Sequence, residues 1–283
     1  MSVTTQLRVA TAALAAAGVA SPRVDAELLL AHLLGRGRGQ LVLAGPLTEA
    51  ELAGYDELVA RRASGIPLQH LTGTAPFRRL ELAVGPGVFI PRPETELLPE
   101  LAAAELAAAA VVLDLGAGSG AIALSIAQEY PSARVIAVER SDAALGWLRR
   151  NAEQRRAAGD RAIEIVAADL ADPELLAELA GQVDVLLSNP PYVPETIRDE
   201  LTTEIGHDPA EAVYAGPDGL GAMPGLLDTA ARLLRPGGLL VIEHDPSHQH
   251  TLPRLISARP GWTKVTDQLD LAGRPRFVRA VRA

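Results

Sequence analysis

The spacing of apolar residues divides this chain into a helical first part and an alternating second part. Across residues 1–75 the apolar positions repeat at helical spacing, as in the leucine stripe of residues 28–34, and no strand-like alternation occurs. Ser21 with Pro22 and Thr48 with Glu51 are signals for helix starts, the second pair having the spacing of a capping box. Residues 1–75 are therefore predicted to form a small helical domain.

From about residue 110 short apolar runs alternate with helical patterns. Five runs have the character of buried strands: VVLDL (111–115), ARVIAVE (133–139), IEIVAA (163–168), VDVLLS (183–188) and GLLVIEH (238–244). Such alternation predicts a parallel sheet with helices on both faces. The runs WTKVTDQL (262–269) and RFVRAVRA (276–283) complete this α/β sheet in antiparallel fashion if they pair with it.

A β-hairpin linker is predicted between these parts, over residues 76–93. Phe77–Val84 alternates, residues 85–87 (Gly-Pro-Gly) suggest a turn, and residues 88–90 form a second short run. The predicted domains are then 1–75, the linker 76–93, and the α/β domain 94–283.

Composition narrows the class of protein. The chain has 283 residues, no cysteine and a formal net charge of −9. Disulfides and thiolate metal sites are therefore excluded, and a reducing compartment is expected. Proteins that bind duplex DNA usually carry a basic face, so the charge argues against a nucleic-acid partner. With no long apolar run and no signal-peptide pattern at the N-terminus, we expect a cytoplasmic protein without a membrane span.

A glycine-rich turn follows the first buried strand and leads into a helix. It consists of Gly116, Ala117, Gly118, Ser119 and Gly120. Glycines at a strand-to-helix turn let the backbone approach a ligand beside the positive end of a helix. The spacing is GxGxG, not GxGxxG, which favours a ligand smaller than a dinucleotide.

Acidic residues end the next two strands. Glu139 is placed to accept hydrogen bonds from the hydroxyls of a ribose, and Asp169 with Leu170 is placed to flank an adenine ring. Taken singly, each feature has a plainer interpretation: the glycines serve packing, and the acids are solvated or cap helices. Their occurrence in order at successive strand ends favours a nucleoside-binding site.

The fourth strand ends in Asn189, Pro190, Pro191 and Tyr192. Two consecutive prolines donate no backbone hydrogen bonds and cannot continue a central strand, so they form a stiff extended turn. The turn holds one amide and one aromatic ring at fixed positions, which suits a flat substrate group. The alternative is a strand-terminating turn with a capping Asn189.

These motifs together resemble a known family. DLGAGSG (114–120) with Glu139 and Asp169 resembles the S-adenosylmethionine site of class I methyltransferases, and NPPY resembles the motif of methyltransferases that act on planar nitrogens. With IPRPETELL (90–98), HLTG (70–73) and GPDGL (216–220), the whole chain is similar to the peptide chain release factor glutamine methyltransferases, the PrmC/HemK family. A related ribosomal-protein glutamine methyltransferase usually has PRSP where this chain has PRPE (91–94).

The resemblance implies a class I methyltransferase (Rossmann-like) fold with a mostly parallel seven-stranded sheet. It implies transfer of a methyl group from S-adenosyl-L-methionine, leaving S-adenosyl-L-homocysteine, to N5 of the glutamine in the GGQ motif of class I release factors. The helical domain is then expected to dock the release factor. We expect a monomer with no stable nucleic-acid partner and no metal.

The implied site joins three segments of the chain. The cofactor set is Gly116, Ala117, Gly118, Ser119, Gly120, Glu139, Asp169, Leu170, Asn189 and Thr95. In the substrate set, the side-chain oxygen of Asn189 and the carbonyl of Pro190 accept hydrogen bonds from the amide, Tyr192 packs on it, and Pro191 keeps the turn rigid. Arg92 is expected against the substrate, although Glu94 and Glu96 beside it also suit the first turn of a helix.

Other interpretations stay open at this point. An adenine-N6 DNA or RNA methyltransferase also suits NPPY, because an exocyclic amine is a planar nitrogen. A partner-binding protein that has lost catalysis on the same fold is a third class. His244, His248 and His250 with Asp245 resemble a metal-ligand set, but a loop capped by Asp245 or Ser247 with incidental histidines is preferred.

Overall fold

The computed structural model describes residues 2–106, 110–200 and 204–283, and the chain divides into two compact units. Of the described residues, the first unit holds 2–74 and 204–207, and the second holds the remainder from Ala75 onward. No helix within these ranges is both long and apolar enough to cross a lipid bilayer.

The first unit is helical, as predicted. Its helices are α1 (Val3–Ala16), α2 (Pro22–Leu33), α3 (Glu49–Ala63) and α4 (Leu68–Thr72), with a 3-10 helix at Arg38–Leu43. The capping box at the start of α3 is confirmed: Glu51 N donates to Thr48 Oγ1 at 3.2 Å, and Thr48 N donates to Glu51 Oε2 at 2.8 Å. α2 begins at Pro22, but the Ser21 side chain makes no capping hydrogen bond.

A buried ion pair lies within this helical unit. Arg62 Nε donates to Asp25 Oδ2 at 2.8 Å, and the same guanidinium pairs with Glu204. The Tyr55 hydroxyl donates to the Ala26 carbonyl at 2.8 Å. Breaking a buried pair leaves an uncompensated charge, so these bonds fix how α3 packs on α2.

The hairpin exists, but its predicted position is wrong. The strands are β1 (Thr74–Phe77) and β2 (Leu80–Ala83), so the turn is at Arg78 and Arg79 and not at residues 85–87. Arg78 adopts φ = 53°, and its guanidinium donates to both oxygens of Glu129 at 2.6 and 2.7 Å. Since ion pairs from distant residues hold this turn, no local glycine or proline marks it.

A seven-stranded sheet forms the centre of the second unit. Its strands are β3 (Val111–Leu115), β4 (Arg134–Glu139), β5 (Glu164–Ala167), β6 (Val183–Ser188), β7 (Leu234–Glu243), β8 (Trp262–Leu269) and β9 (Pro275–Arg282). They lie in the order β5-β4-β3-β6-β7-β9-β8. The first five are parallel and β9 pairs antiparallel with β7 and β8, as the pattern predicted. The helices of this unit are α5 (Leu97–Leu101), α6 (Ala121–Glu129), α7 (Asp142–Ala157), α8 (Ala210–Val213), α9 (Met223–Leu233) and α10 (Thr251–Ser257).

Both faces of the sheet are buried at its central strands β3, β4 and β6, which explains why these strands are nearly continuous apolar runs. Val185 and Leu187 belong to one core cluster, whereas Leu186 between them belongs to another. Successive strand side chains point to opposite faces, so the two clusters are the two layers beneath the helices.

The order of the strands reverses beside β3, and this reversal determines where the loops that carry the sequence motifs lie. The chain leaves β3 for β4 on one side and later returns to β6 on the other. Leu115 lies opposite Val138 of β4 and Ser188 of β6, so the segments after these strands all begin at one edge. Ligands of open α/β sheets bind in the crevice outside such a reversal.

Asn151 joins the hairpin to the glycine turn. This α7 side chain is 1% exposed. Its Oδ1 accepts from Ala83 N at 2.8 Å, and its Nδ2 donates to the carbonyls of Ala83 at 3.0 Å and Ser119 at 2.9 Å. One amide therefore satisfies three backbone groups, two at the end of β2 and one in the glycine turn.

Replacing Asn151 by alanine is expected to lower the free energy of unfolding by about 3 kcal/mol, because buried backbone groups lose their partners. Urea denaturation followed by tryptophan fluorescence measures this, since Trp147 and Trp262 both lie in the second unit. The control Gln154→Ala, at an exposed position of the same helix, should change the value by less than about 0.5 kcal/mol. Equal effects of the two variants would contradict the assigned role.

Candidate active site

The glycine turn after β3 has backbone φ angles that favour glycine at three of its positions. Gly116, Gly118 and Gly120 have φ values of 75°, 56° and 88°. A Cβ at Gly116 or Gly118 would meet nothing within 4 Å, whereas at Gly120 it would lie 2.5 Å from Leu148 Cδ1. The first two glycines therefore border open space and the third permits packing.

The other two residues of the turn, Ala117 and Ser119, are held by hydrogen bonds of their backbone groups. The N–H groups of Gly116 and Ala117 both donate to the Val138 carbonyl, at 2.9 and 3.0 Å. Ser119 is buried and its carbonyl accepts from Asn151. The turn is thus held against β4 and α7 before any ligand binds.

Glu139 ends β4 directly beside this turn, as the spacing of the motifs predicted. Its Oε2 accepts from Gly118 N at 2.8 Å, and its Oε1 accepts from Arg140 N and Ser141 N, each at 2.8 Å. Three backbone donors therefore fix the carboxylate at the border of the open space.

Asp114 is a buried acid that sequence reasoning did not assign to the site. Its Oδ2 accepts from Ala123 N at 3.1 Å in the first turn of α6, and its Oδ1 is buried without a hydrogen-bond partner among the described residues. Burial, with the charge of Glu139, raises the pKa of Asp114 to about 7. The signal for it was a charged residue within a strand that is otherwise apolar on both faces.

Asp169 and Leu170 lie just beyond β5, where they were predicted. Asp169 is exposed; its Oδ1 accepts from Ala171 N at 2.8 Å and its Oδ2 pairs with Arg140 at 3.0 Å. The backbone hydrogen bond and then Arg140 lower the pKa of Asp169, so it is ionised at neutral pH. Leu170 is half-buried and its carbonyl accepts from Thr229 Oγ1 at 2.7 Å.

The turn after β6 meets the loop that precedes α5. Asn189 Nδ2 donates to Thr95 Oγ1 at 3.1 Å, which leaves Oδ1 of the amide as an acceptor. Pro190 is buried and Pro191 is half-buried. Beyond them Val193 N donates to the Val213 carbonyl at 2.9 Å. The stiff turn is therefore anchored at both ends.

Tyr192 is bound at its hydroxyl by Glu243, the last residue of β7. The hydroxyl donates to Glu243 Oε1 at 2.9 Å. Burial raises the pKa of Tyr192, and the charge of Glu243 adds to this. The bond fixes the ring, which also packs against one of the two core clusters of the sheet.

Glu243 itself was not assigned to the site by the sequence. Burial raises the pKa of this carboxyl to about 7, although the Thr95 and Tyr192 hydroxyls and Arg276 favour its ionised form. The available signal was its place at a strand end, equivalent to that of Glu139.

Arg92 is held by the protein itself. Its guanidinium pairs with the buried carboxylate of Asp208 and lies 4.8 Å from the centre of the Phe89 ring. Asp208 Oδ1 also accepts from Ile90 N at 3.1 Å. The 3-10 helix Pro93–Glu96 follows and leads into α5, so Arg92 shapes the loop that carries Thr95.

Two histidines after β7, His244 and His248, contact protein groups. His244 Nε2 lies 3.0 Å from Asp267 Oδ2, and His248 Nε2 lies 2.8 Å from the Asp218 carbonyl. Asp245 Oδ1 accepts from Ser247 N at 2.9 Å, which is the capping role preferred for it. Within the described ranges no group of histidine and acidic residues is arranged to hold a metal ion.

Two protein-family models match this chain, one in its helical part and one in its α/β part. A family model described as the PrmC N-terminal domain matches residues 5–73, and one described as the methyltransferase small domain matches residues 85–213. The release factor glutamine methyltransferase of Mycolicibacterium smegmatis is 51% identical over 98% of this chain and 97% of its own length. The enzyme of Streptomyces coelicolor is 47% identical over 97% of this chain and 96% of its own length. That of Mycobacterium tuberculosis is 44% identical over 100% of this chain and 92% of its own length.

Solved structures with the same fold are methyltransferases of low sequence identity. The hMettl16 catalytic domain, crystallised with the MAT2A 3′UTR hairpin 6, has a TM-score of 0.57 and 15% identity, covering 80% of this chain and 82% of its own. A methyltransferase from Pyrococcus furiosus has a TM-score of 0.50 and 20% identity, covering 72% and 88%. The predicted class I methyltransferase fold is thus confirmed.

The structure gives different roles to two glycines of the turn, and alanine substitutions should separate them. Gly120→Ala is expected to lower the free energy of unfolding by about 3 kcal/mol, because it adds a clash with Leu148 to the cost of a positive φ. Gly118→Ala, with open space at its Cβ, should lower it by only about 1 kcal/mol. Urea denaturation of both variants measures the difference. Equal losses would mean that Gly118 is also a packing glycine.

Proposed function

The chain belongs to the family of release factor glutamine methyltransferases, and from this membership we propose how its own residues perform the reaction. It is an S-adenosylmethionine-dependent enzyme that methylates a glutamine of a release factor. We propose, more finely, that the acceptor is N5 of the glutamine in the GGQ motif of class I release factors. The observation that carries this proposal is the Asn189–Thr95 contact, which leaves an amide oxygen available beside the open glycine turn.

The residues of the glycine turn fit the cofactor. Gly116 and Gly118 border open space, Glu139 is fixed beside them, and the buried Oδ1 of Asp114 has no hydrogen-bond partner among the described residues. We propose that the turn holds the methionine part, that Glu139 accepts from the ribose, and that Asp169 and Leu170 flank the adenine. When bound, S-adenosylmethionine supplies an electrophilic methyl group on a sulfonium.

Asn189 and Pro190 prepare the substrate amide. An amide nitrogen is a poor nucleophile because its lone pair is delocalised into the carbonyl. Hydrogen bonds from its two N–H groups to Asn189 Oδ1 and the Pro190 carbonyl favour a pyramidal nitrogen and free that lone pair. The prolines and the Tyr192–Glu243 bond keep the acceptors in place, which matters because an error near 1 Å is costly for transfer.

Tyr192 presents its ring to the flat amide and to the cationic methyl region. Its hydroxyl is occupied by Glu243, so packing of the ring is its proposed contribution. We assign no general base, because the positively charged product nitrogen loses its proton to water after transfer. Arg92, paired with Asp208, is proposed to hold the loop against the substrate.

The helical unit is proposed to dock the release factor. A glutamine within a large protein needs a contact surface beyond the small site, and the helical residues 2–74, with 204–207, form a separate unit with its own core. We propose that the enzyme acts as a monomer in the cytoplasm, where its substrate is made. The absence of cysteine agrees with a reducing compartment.

Transfer of labelled methyl from S-adenosylmethionine tests this function directly. Three acceptors are compared: a purified class I release factor, the same factor with its GGQ glutamine replaced, and DNA. Label should enter the first alone. Label in the DNA would instead mean that the turn holds an extruded base, as in the alternative adenine-N6 function. Label in the altered factor would place the acceptor at another residue.

The same assay measures the role of Asn189. Asn189→Ala should lower the turnover number on the order of a hundredfold, because the amide loses an oriented acceptor. The dissociation constant for S-adenosylmethionine, measured by calorimetry, should change little. Turnover near that of the unmodified enzyme would contradict the proposed role of the NPPY turn.

A separate substitution tests the cofactor site. Glu139→Ala should weaken S-adenosylmethionine binding by about 1.5–3 kcal/mol, the contribution of hydrogen bonds to a charged acceptor. Calorimetric titration gives the dissociation constant, and Glu174→Ala, at an exposed glutamate of the same unit, is the matched control. An unchanged constant in Glu139→Ala would move the ribose contact to another residue.

A further inference from the structure

The loop with the sequence GPDGL (residues 216–220) contacts the backbone of the NPPY turn at Gly219. An ideal Cβ built on Gly219 would lie 2.3 Å from the carbonyl oxygen of Tyr192 and 3.0 Å from its carbonyl carbon. A side chain cannot approach a backbone carbonyl that closely, and a backbone atom cannot rotate away as the end of a long side chain can. Gly219 therefore lets the GPDGL loop lie directly against the NPPY turn.

His248 holds the same loop from the 3-10 helix Pro246–His248, which follows β7. Its Nε2 lies 2.8 Å from the Asp218 carbonyl oxygen, and since a carbonyl only accepts, Nε2 carries the proton and donates. Its Cε1 lies 3.0 Å from the ideal Cβ position of Gly219. The His248 side chain is 4% exposed, so its ring fills the space behind the loop and binds it by one hydrogen bond.

The GPDGL loop is also held at its start and within itself. Ala215 N, directly before the loop, donates to the Val193 carbonyl at 3.1 Å, just after the NPPY turn. Within the loop, Asp218 Oδ1 accepts from Leu220 N at 3.0 Å. These bonds fix the backbone on both sides of Gly219, so a displacement at this position is passed on to the neighbouring turn.

We propose that Gly219 and His248 are positioning residues for methyl transfer, and that they act on the NPPY turn through the GPDGL loop. His248 holds the loop at the Asp218 carbonyl, and Gly219 lets the Tyr192 carbonyl lie against it. The inference rests on the proposed function, because the NPPY turn is the proposed binding segment for the substrate amide. It adds the residues that set the position of this turn.

The stiffness of the NPPY turn carries this positioning to the acceptor atoms. Pro190 and Pro191 have fixed φ angles, so the backbone of Tyr192 does not shift alone. The Tyr192 hydroxyl is bonded to Glu243 at 2.9 Å, and its carbonyl is the second point at which the residue is held. A shift at this carbonyl therefore moves the Pro190 carbonyl and Asn189 Oδ1, and an error of about 1 Å is costly for transfer.

Two alanine substitutions separate a push on the NPPY turn from strain within the GPDGL loop. Gly219→Ala places a methyl group against the Tyr192 carbonyl, whereas a Cβ at Gly216 meets nothing within 4 Å. The φ angles of the two glycines are 75° and 77°, so alanine costs similar backbone strain at both. Gly219→Ala should lower the turnover number by about 10- to 100-fold with the dissociation constant for S-adenosylmethionine unchanged. Gly216→Ala, the matched control, should lower it by less than about 3-fold.

Substitutions of His248 test the hydrogen bond to the loop. His248→Phe keeps a flat ring but removes the donor, so the Asp218 carbonyl loses its partner and the turnover number should fall by about 5- to 20-fold. His248→Gln can place an N–H group where Nε2 of the histidine lies, and it should restore most of the lost rate. His250→Phe, at an exposed histidine two positions further on, is the control and should leave the rate unchanged.

The position of the Tyr192 carbonyl is measurable without catalysis. Valine follows tyrosine at one place in the chain, Tyr192–Val193. Tyrosine with ¹³C at its carbonyl carbon and valine with ¹⁵N therefore label a single peptide bond, which gives one signal in an NMR spectrum that correlates each amide with the preceding carbonyl. The signal should move in Gly219→Ala and His248→Phe, and it should stay near its original position in Gly216→Ala and His248→Gln.

Three results would overturn the proposal. Equal losses of turnover in Gly219→Ala and Gly216→Ala would leave only strain within the loop. An unmoved signal in His248→Phe would show that His248 does not hold the turn, and a rate in His248→Gln as low as in His248→Phe would exclude the hydrogen bond as the cause. The His248 variants decide the matter if Gly219→Ala does not fold. Failure of the proposed function is distinct, since the unmodified enzyme would then transfer no methyl to the release factor while the Tyr192–Val193 signal is still measurable.

Discussion

The parallel alignment of β3, β4, β6 and β7 is the constraint on which the site depends. Parallel strands end at one edge of the sheet, so the segments that follow them must meet there. The glycine turn, Glu139, the NPPY turn and Glu243 are all strand-end features of this kind. Residues spread over more than a hundred positions of the chain are thus brought to one edge of the sheet without any long-range motif in the sequence.

Alignment alone does not set the loops to the accuracy that methyl transfer needs. Each loop is tied by one buried polar side chain: Glu139 binds the glycine turn, Asn151 joins that turn to the hairpin, and Glu243 joins the NPPY turn to the end of β7. Buried polar groups are costly when left unpaired, so each of these side chains selects a single arrangement of its partners.

The sequence predicted what local pattern determines, and missed what distant contacts determine. Strands buried on both faces are continuous apolar runs, and glycines with positive φ are visible as glycines, so the sheet and the glycine turn were predicted. The hairpin turn was misplaced because Arg78 is held by Glu129, 51 residues away. Glu243 and Asp114 were not assigned to the site because the sequence alone does not show that these two carboxyls are buried.

The buried carboxylate of Glu243 lowers the stability of the fold, and this cost indicates that the residue has a functional role. A shift of the pKa of Glu243 from 4.5 to about 7 lowers the free energy of unfolding by about 3 kcal/mol above neutral pH, where the carboxyl is ionised. The sign follows from the raised value: the native state binds the proton more tightly than the unfolded chain, so the penalty grows as the pH rises from 4.5 and is complete above 7. An apolar residue packed at this position would avoid that penalty. It would also leave the Tyr192 hydroxyl without the carboxylate that accepts its hydrogen bond, and the ring of the NPPY turn would lose the contact that fixes it.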